Sequence, residues 1–212
     1  VFNKELEENL SFVVENGAAI YNLNLINSSF PEKISLSREN DEILKIFESK
    51  ISNKFKSKCK FIKKLSLDKQ MKVLGLPKEK IKDSLNREYS APLLFEGSKS
   101  DKIDLFKSVN DVGLSLQEGG RVINLCDKVS KSQAMKNVVK VFKKVTKEKI
   151  FTIGVGDNYN DLDMIKNSDI PCLVFNDKFT LEKININNCL VSKKPAPEGW
   201  EEVVKLALEK IK

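Results

Sequence analysis

Histidine is absent from the 212 residues. That excludes Ser-His-Asp and Cys-His catalysis, and every histidine-ligated zinc site. Acid–base and metal chemistry must then rest on carboxylates, lysine or tyrosine, and oxygen-only ligands favour magnesium or calcium over zinc or copper. Arginine is scarce: Arg38, Arg87 and Arg121 stand among many lysines in a chain of net charge +7. No basic stripe interleaved with aromatics appears. The charge therefore reads as a solvated lysine-rich surface, and no nucleic-acid partner is expected. The four cysteines, Cys59, Cys126, Cys172 and Cys189, are far apart and form no Cys-x-x-Cys pair. They read as reduced thiols of a cytoplasmic protein. No apolar run is long enough to cross a membrane, so no membrane partner is expected. The segment from Val1 to Asn9 is polar and charged, unlike a secretory signal. The first residue is Val, which leads us to expect processing or a missing upstream segment.

What is present suffices for one sizeable core or two small ones. Phe12 to Glu15 reads as a strand, and Asn16-Gly17 as a tight turn into Ala18 to Tyr21, because both turn positions favour positive φ. From about residue 33 to 119 short strands mix with helices. The helices expected there are Glu39 to Lys50, Leu67 to Val73 ended by Gly75, one opened by Pro77, and Ser100 to Val112 stopped by Gly113. Strands are expected at Lys33 to Ser37, Cys59 to Ile62, Leu93 to Glu96 and Leu114 to Glu118. After Gly119-Gly120 strand and helix alternate: Arg121 to Leu125, Lys131 to Lys144, Ile150 to Val155, Leu162 to Lys166, Cys172 to Phe175, Leu190-Val191 and Glu198 to Lys212. That alternation predicts a parallel sheet covered by helices on both faces. The expected organisation is a core formed by 1–32 and 120–212, with 33–119 inserted as an α/β module.

Two segments carry chemistry. In Ile153-Gly154-Val155-Gly156-Asp157 an apolar strand runs into Gly-Asp, then a helix begins. Asp157 should sit at the carboxyl end of a parallel strand, where open α/β sheets bind ligands. Asn160 and Asp161 follow within one turn, on the same side as Asp157, and a cation would compensate the clustered charge. Carboxylates that only cap a turn would read the same way. In Ser130-Lys131-Ser132-Gln133 the Ser-x-x-Gln spacing predicts a capped helix start. A lysine in a first helical turn opposes the helix dipole unless an anion lies between them, and helix N-termini bind phosphate.

Gly156-Asp157-x-x-Asn160-Asp161, with a lysine-led helix upstream, resembles the last two motifs of the haloacid dehalogenase superfamily. Glu15-Asn16-Gly17-Ala18 resembles the hairpin of its subgroup with an inserted α/β cap. Within that subgroup, Arg87-Glu88-Tyr89-Ser90 with Leu94-Phe95-Glu96, Gly120-Arg121 and Pro197-Glu198-Gly199-Trp200 resemble the mannosyl-3-phosphoglycerate phosphatases. The resemblance spans nearly the whole chain. It implies a Rossmann-like parallel-sheet core with a cap, and magnesium bound by Asp157, with Asp161 and Asn160 assisting. It implies Lys131 and Asp161 as catalytic residues, with Lys131 pairing with the nucleophile and the transferring phosphoryl group. The implied substrate is a small sugar phosphate, mannosyl- or glucosyl-3-phosphoglycerate, cleaved in compatible-solute synthesis. Arg87, Ser90, Arg121 and Asn16 are the expected substrate-binding residues. Salt bridges of Arg87 or Arg121 to Glu88 or Glu118 are the competing reading for the arginines.

In this superfamily one aspartate attacks phosphorus and a second acts as acid and base, both from an Asp-x-Asp near the N-terminus. Here the sole Asp-x-Asp is Asp161-Leu162-Asp163. The expectation is a truncated chain lacking the first core strands and the nucleophile, and inactive by itself. Other readings are another capped sugar phosphatase, or a non-catalytic remnant that binds phosphosugar.

Overall fold

The computed structural model describes residues 9–177 and 185–211. The chain divides into two compact units, Val1–Val129 and Ser130–Lys212. The last residue of the expected closing helix, Lys212, and the start of the polar N-terminal segment lie outside the described residues.

In the first unit, β1 (Phe12–Val14) and β2 (Ala19–Tyr21) form an antiparallel hairpin, and β3 (Lys33–Ser35) pairs with the other edge of β2. The hairpin turn carries three successive residues of positive φ: Glu15 at 46°, Asn16 at 59° and Gly17 at 107°. Asn and Gly tolerate this conformation, and Glu does not do so readily. A second sheet has the order β4-β5-β7-β6, all antiparallel, from β4 (Cys59–Phe61), β5 (Ser90–Phe95), β6 (Leu114–Glu118) and β7 (Ile123–Asp127). Its described helices include α1 (Asn40–Lys50), the one-turn α2 (Asn53–Lys56), α3 (Leu67–Leu74), α4 (Lys78–Leu85) and α5 (Lys99–Asp111). Ile43 and Phe47 of α1 and Leu105 and Val109 of α5 lie one turn apart on each helix. They close a core over Leu93, Leu114 and Leu125. Phe47 meets Phe61 edge to face, with ring centroids 5.6 Å apart.

One expected strand changes its place. The strand predicted over Arg121 to Leu125 was to join the parallel sheet, with Gly119-Gly120 marking the return to the core. Instead β7 is sandwiched between β5 and β6, and Gly119-Gly120 lies in the turn of the β6–β7 hairpin, where Gly119 N–H donates to the Val122 carbonyl. The side chains explain it. Ile123 and Leu125 alternate with the half-buried Asn124, the period-2 pattern of a strand with one buried face. Lys33 to Ser35 likewise pairs with the hairpin, not with the four-stranded sheet.

The second unit has a parallel sheet of order β10-β9-β8, from β8 (Ile153–Gly156), β9 (Ile170–Leu173) and β10 (Leu190–Val191). β9 is buried along its whole length. Cys172 faces Val203 and Ala207 of α8 (Glu198–Glu209), whereas the next residue, Leu173, packs on Ile165 of α7 (Leu162–Lys166). Successive residues of one strand thus meet helices on opposite faces, as strand–helix alternation predicted. This unit also contains α6 (Lys131–Phe142). Among the described residues no helix is long and apolar enough to cross a membrane.

Candidate active site

The site in the second unit is built at the carboxyl end of β8. Two glycines bring the helix after the strand close to it. A Cβ on Gly154 would lie 2.7 Å from Ser168 Oγ and 3.1 Å from Ile165 Cα. A Cβ on Gly156 would lie 2.3 Å from Asp161 Cβ. Glycine at 156 therefore lets the Asp161 side chain fold back under the strand end.

Asp161 is buried and fully engaged. Its Oδ1 accepts from Lys131 Nζ at 2.5 Å. Its Oδ2 accepts from the backbone N–H of Asp157 at 3.3 Å and of Asn158 at 3.2 Å. Asn158 and Asp161 complete a reciprocal capping box around the short turn Tyr159–Asp161. The clustered carboxylates of the sequence are thus resolved by opposite charge and by N–H donors. Asp161 lies beneath the turn, half-buried Asp157 lies at the strand end, and Asn160 is exposed.

Lys131 is held from its own helix as well. Ser130 Oγ accepts from Gln133 N–H at 3.1 Å and donates to Asp163 Oδ2 at 3.2 Å. The start of α6 is thereby tied to α7, and the ammonium of Lys131 meets Asp161, about a third of its side chain remaining exposed. Ser132 Oγ beside it is buried and without a hydrogen-bond partner among the described residues.

Asn176 was missed in the sequence. Its Nδ2 donates to the backbone carbonyl of Asp157 at 3.2 Å and to Asp157 Oδ2 at 3.3 Å. The signal was available: a polar residue after the apolar run Cys172 to Phe175, at the carboxyl end of a parallel strand neighbouring β8. Among the described residues no three acidic or cysteine side chains gather into a metal cage. The donor set is nonetheless all oxygen, with a half-buried carboxylate at Asp157 and an exposed amide three residues on at Asn160. It fits a hard cation that keeps most of its water, as magnesium does. Both oxygens of Asp161 already accept hydrogen bonds, from Lys131 and from two backbone N–H groups of the turn.

The other predicted residues lie in the first unit. Asn16 Nδ2 donates to Gln117 Oε1 at 2.8 Å, and Gln117 Nε2 to the Val129 carbonyl at 3.0 Å. Arg87 and Ser90 adjoin, with Nη1 3.3 Å from Ser90 Oγ. Neither arginine forms the salt bridge considered above. Glu88 pairs with Lys33, and Glu118 with Lys102. Arg121 stands apart from Arg87: its Nη1 donates to the Leu74 carbonyl, capping the end of α3 across Gly75, whose φ is 61°.

No protein-family model matches the chain. A protein of Persephonella marina named glucosyl-3-phosphoglycerate/mannosyl-3-phosphoglycerate phosphatase is 29% identical over 220 residues, covering 100% of this chain and 80% of that protein. A Methanococcoides burtonii protein of the same name is 30% identical over 88 residues, 42% of this chain and 32% of that protein. Among solved structures, a Thermoplasma acidophilum protein superposes with a TM-score of 0.59 at 15% identity, covering 95% of this chain and 76% of that one. A haloacid dehalogenase subclass IIB sugar phosphatase superposes with a TM-score of 0.58 at 13% identity, covering 98% and 78%. At such identities the solved structures speak for the fold.

Proposed function

We propose that this chain is a member of the haloacid dehalogenase superfamily, in its capped sugar-phosphatase group, and that it serves hydrolysis of the phosphate monoester of glucosyl- or mannosyl-3-phosphoglycerate. The observation that carries the reading is the Lys131–Asp161 pair, 2.5 Å apart, fixed beside Asp157 at the strand end. The name of the Persephonella relative supports the substrate class.

On this reading Asp157 holds magnesium, with Asn160 and the Asn176 amide keeping that carboxylate in place. Bound magnesium supplies charge neutralisation for the phosphoryl oxygens. Lys131 stabilises negative charge on the same oxygens, as a point charge whose position Asp161 sets. Asp161 thus positions Lys131 and does not itself touch the phosphoryl group. Arg87 takes the glycerate carboxylate, which its planar fork suits. Residues 33–119 act as the cap and the remainder as core, with the β7 strand counted with the cap. The product, a glycosylglycerate, belongs to compatible-solute synthesis in the cytoplasm.

The 212 residues hold no Asp-x-Asp besides Asp161-Leu162-Asp163. The reading therefore gives this chain binding and charge stabilisation, and leaves the attack on phosphorus to an aspartate outside it. The test is phosphate release from both esters with magnesium, by this chain and by the chain extended upstream with a strand bearing Asp-x-Asp. No release by the first, and release by the second that disappears in Lys131→Ala and Asp157→Ala, is the expected result. Release by the 212 residues alone would overturn the division of labour. Binding of the ester without release by either chain would favour the non-catalytic phosphosugar-binding reading.

A further inference from the structure

Glu15 adopts a backbone conformation that glutamate disfavours, with φ of 46°. Its side chain accounts for the position. The carboxylate reaches a segment 73 to 75 residues away, the stretch that directly follows Arg87. Oε1 accepts from the backbone N–H of Glu88 at 2.9 Å and of Tyr89 at 3.2 Å. Oε2 accepts from the hydroxyl of Ser90 at 2.5 Å.

A carboxylate accepts hydrogen bonds and cannot donate them, so the hydrogen of Ser90 is committed to Glu15. The lone pairs of Ser90 Oγ are then free for a donor, and Arg87 Nη1 supplies one at 3.3 Å. Arg87 Nε donates to the Ser84 carbonyl, also at 3.3 Å. Arg87 forms no ion pair among the described residues, and its Nη2 has no hydrogen-bond partner among them. The guanidinium is therefore held at Nε and Nη1, with the hydrogens of Nη2 unspent. Ser90 is itself 3% exposed, so its hydroxyl has no solvent to turn to.

We propose that Glu15 is a positioning residue for Arg87: by fixing the direction of the Ser90 hydroxyl it presents the guanidinium to the carboxylate of a phosphoglycerate ester. This rests on the reading that Arg87 receives that carboxylate. Glu15→Gln keeps the size and the acceptor for the two N–H groups but offers Ser90 an N–H donor. The hydroxyl then turns and its hydrogen competes with Arg87.

The experiment is calorimetric titration of the full chain, with magnesium, by mannosyl-3-phosphoglycerate and by its carboxyl methyl ester. Wild type should bind the acid more tightly than the ester. Glu15→Gln should weaken the acid about tenfold and leave the ester unchanged, as loss of an oriented charged hydrogen bond would. Ser90→Ala should do the same, and decides the matter if Glu15→Gln fails to fold. On an Arg87→Ala background Glu15→Gln should have no further effect. Equal weakening of acid and ester, or additive losses with Arg87→Ala, overturns the proposal and leaves Glu15 a structural residue. If wild type prefers the acid and Arg87→Ala removes that preference while Glu15→Gln does not, the role of Glu15 fails alone. If wild type shows no preference, the reading of Arg87 fails and the proposal fails with it.

Discussion

The ammonium of Lys131 lies 2.5 Å from Oδ1 of Asp161, and the other oxygen of that carboxylate receives two backbone N–H groups. A lysine that sequence alone places against its own helix dipole is thus matched by a buried anion 30 residues away, in the turn that follows β8. Removing the lysine strands that anion. Lys131→Ala should destabilise the chain by about 2 kcal/mol, the cost of a charge-assisted hydrogen bond lost at a partly exposed pair. Adding Asp161→Asn should recover part of the loss. Urea unfolding at neutral pH measures both, read as a shift in midpoint at constant slope. An unchanged midpoint in Lys131→Ala would show the pair contributes nothing to folding.

Gly156 has room for no side chain, because an added Cβ would lie 2.3 Å from Asp161 Cβ and 2.6 Å from its Cγ. Gly156→Ala should cost about 1–3 kcal/mol, as overpacking does. Because the atom displaced belongs to the residue that holds Lys131 and the Asp157 N–H, magnesium affinity should fall with stability. Titration with magnesium alongside urea unfolding checks this. A variant of wild-type stability and affinity would mean that Asp161 can move aside freely.

Arg38 clasps Asp127 through Nε at 2.9 Å and Nη2 at 2.5 Å, and Nη2 also reaches the Gly113 carbonyl at 3.0 Å. Burial favours the neutral form of Asp127, but the Arg38 guanidinium and backbone N–H groups outweigh it, and the pKa is lowered from 3.8. A lowered folded pKa stabilises above the unfolded value and loses that stabilisation as pH falls through the folded value. Asp127→Asn should therefore be less stable than wild type by about 1–2 kcal/mol at pH 7. The gap should hold to about pH 5 and close below the ordinary aspartate range near 3.9. Urea unfolding of both proteins across this range is the measurement. A gap that widens with acid would contradict the sign.

Burial pushes the thiol of Cys126 up to about 12, and those of Cys59 and Cys172 to about 11. Thiolates, not thiols, react with alkylating reagents. Native protein at pH 7.5 should label slowly at these three positions, and all four cysteines should label at once in denaturant. Mass spectrometry after iodoacetamide treatment reads the difference. Fast native labelling of Cys126 would place it at a surface.

The parts legible in the sequence are those set within a few residues. Asn16-Gly17 makes its hairpin because both residues accept positive φ. Ser130 caps its helix through Gln133, and Gly75 ends α3 in the left-handed conformation. The apolar strand Ile153–Gly156 ends where the apolar run gives way to polar residues, which puts Asp157 at its carboxyl end. The period of buried residues placed the helices and nearly every strand.

Partners far along the chain were not legible. Ile123–Asp127 shows a strand pattern, but its sheet was decided by register against β5 and β6. Arg121 went to a carbonyl 47 residues away, Glu15 to N–H groups 73 and 74 residues away, and Asn176 to Asp157 across two neighbouring strands. A single sequence states which groups need a partner, through charge, hydrogen-bonding capacity and period. Which partner each one takes is decided when packing excludes water and the nearest complementary group is the only one left within reach.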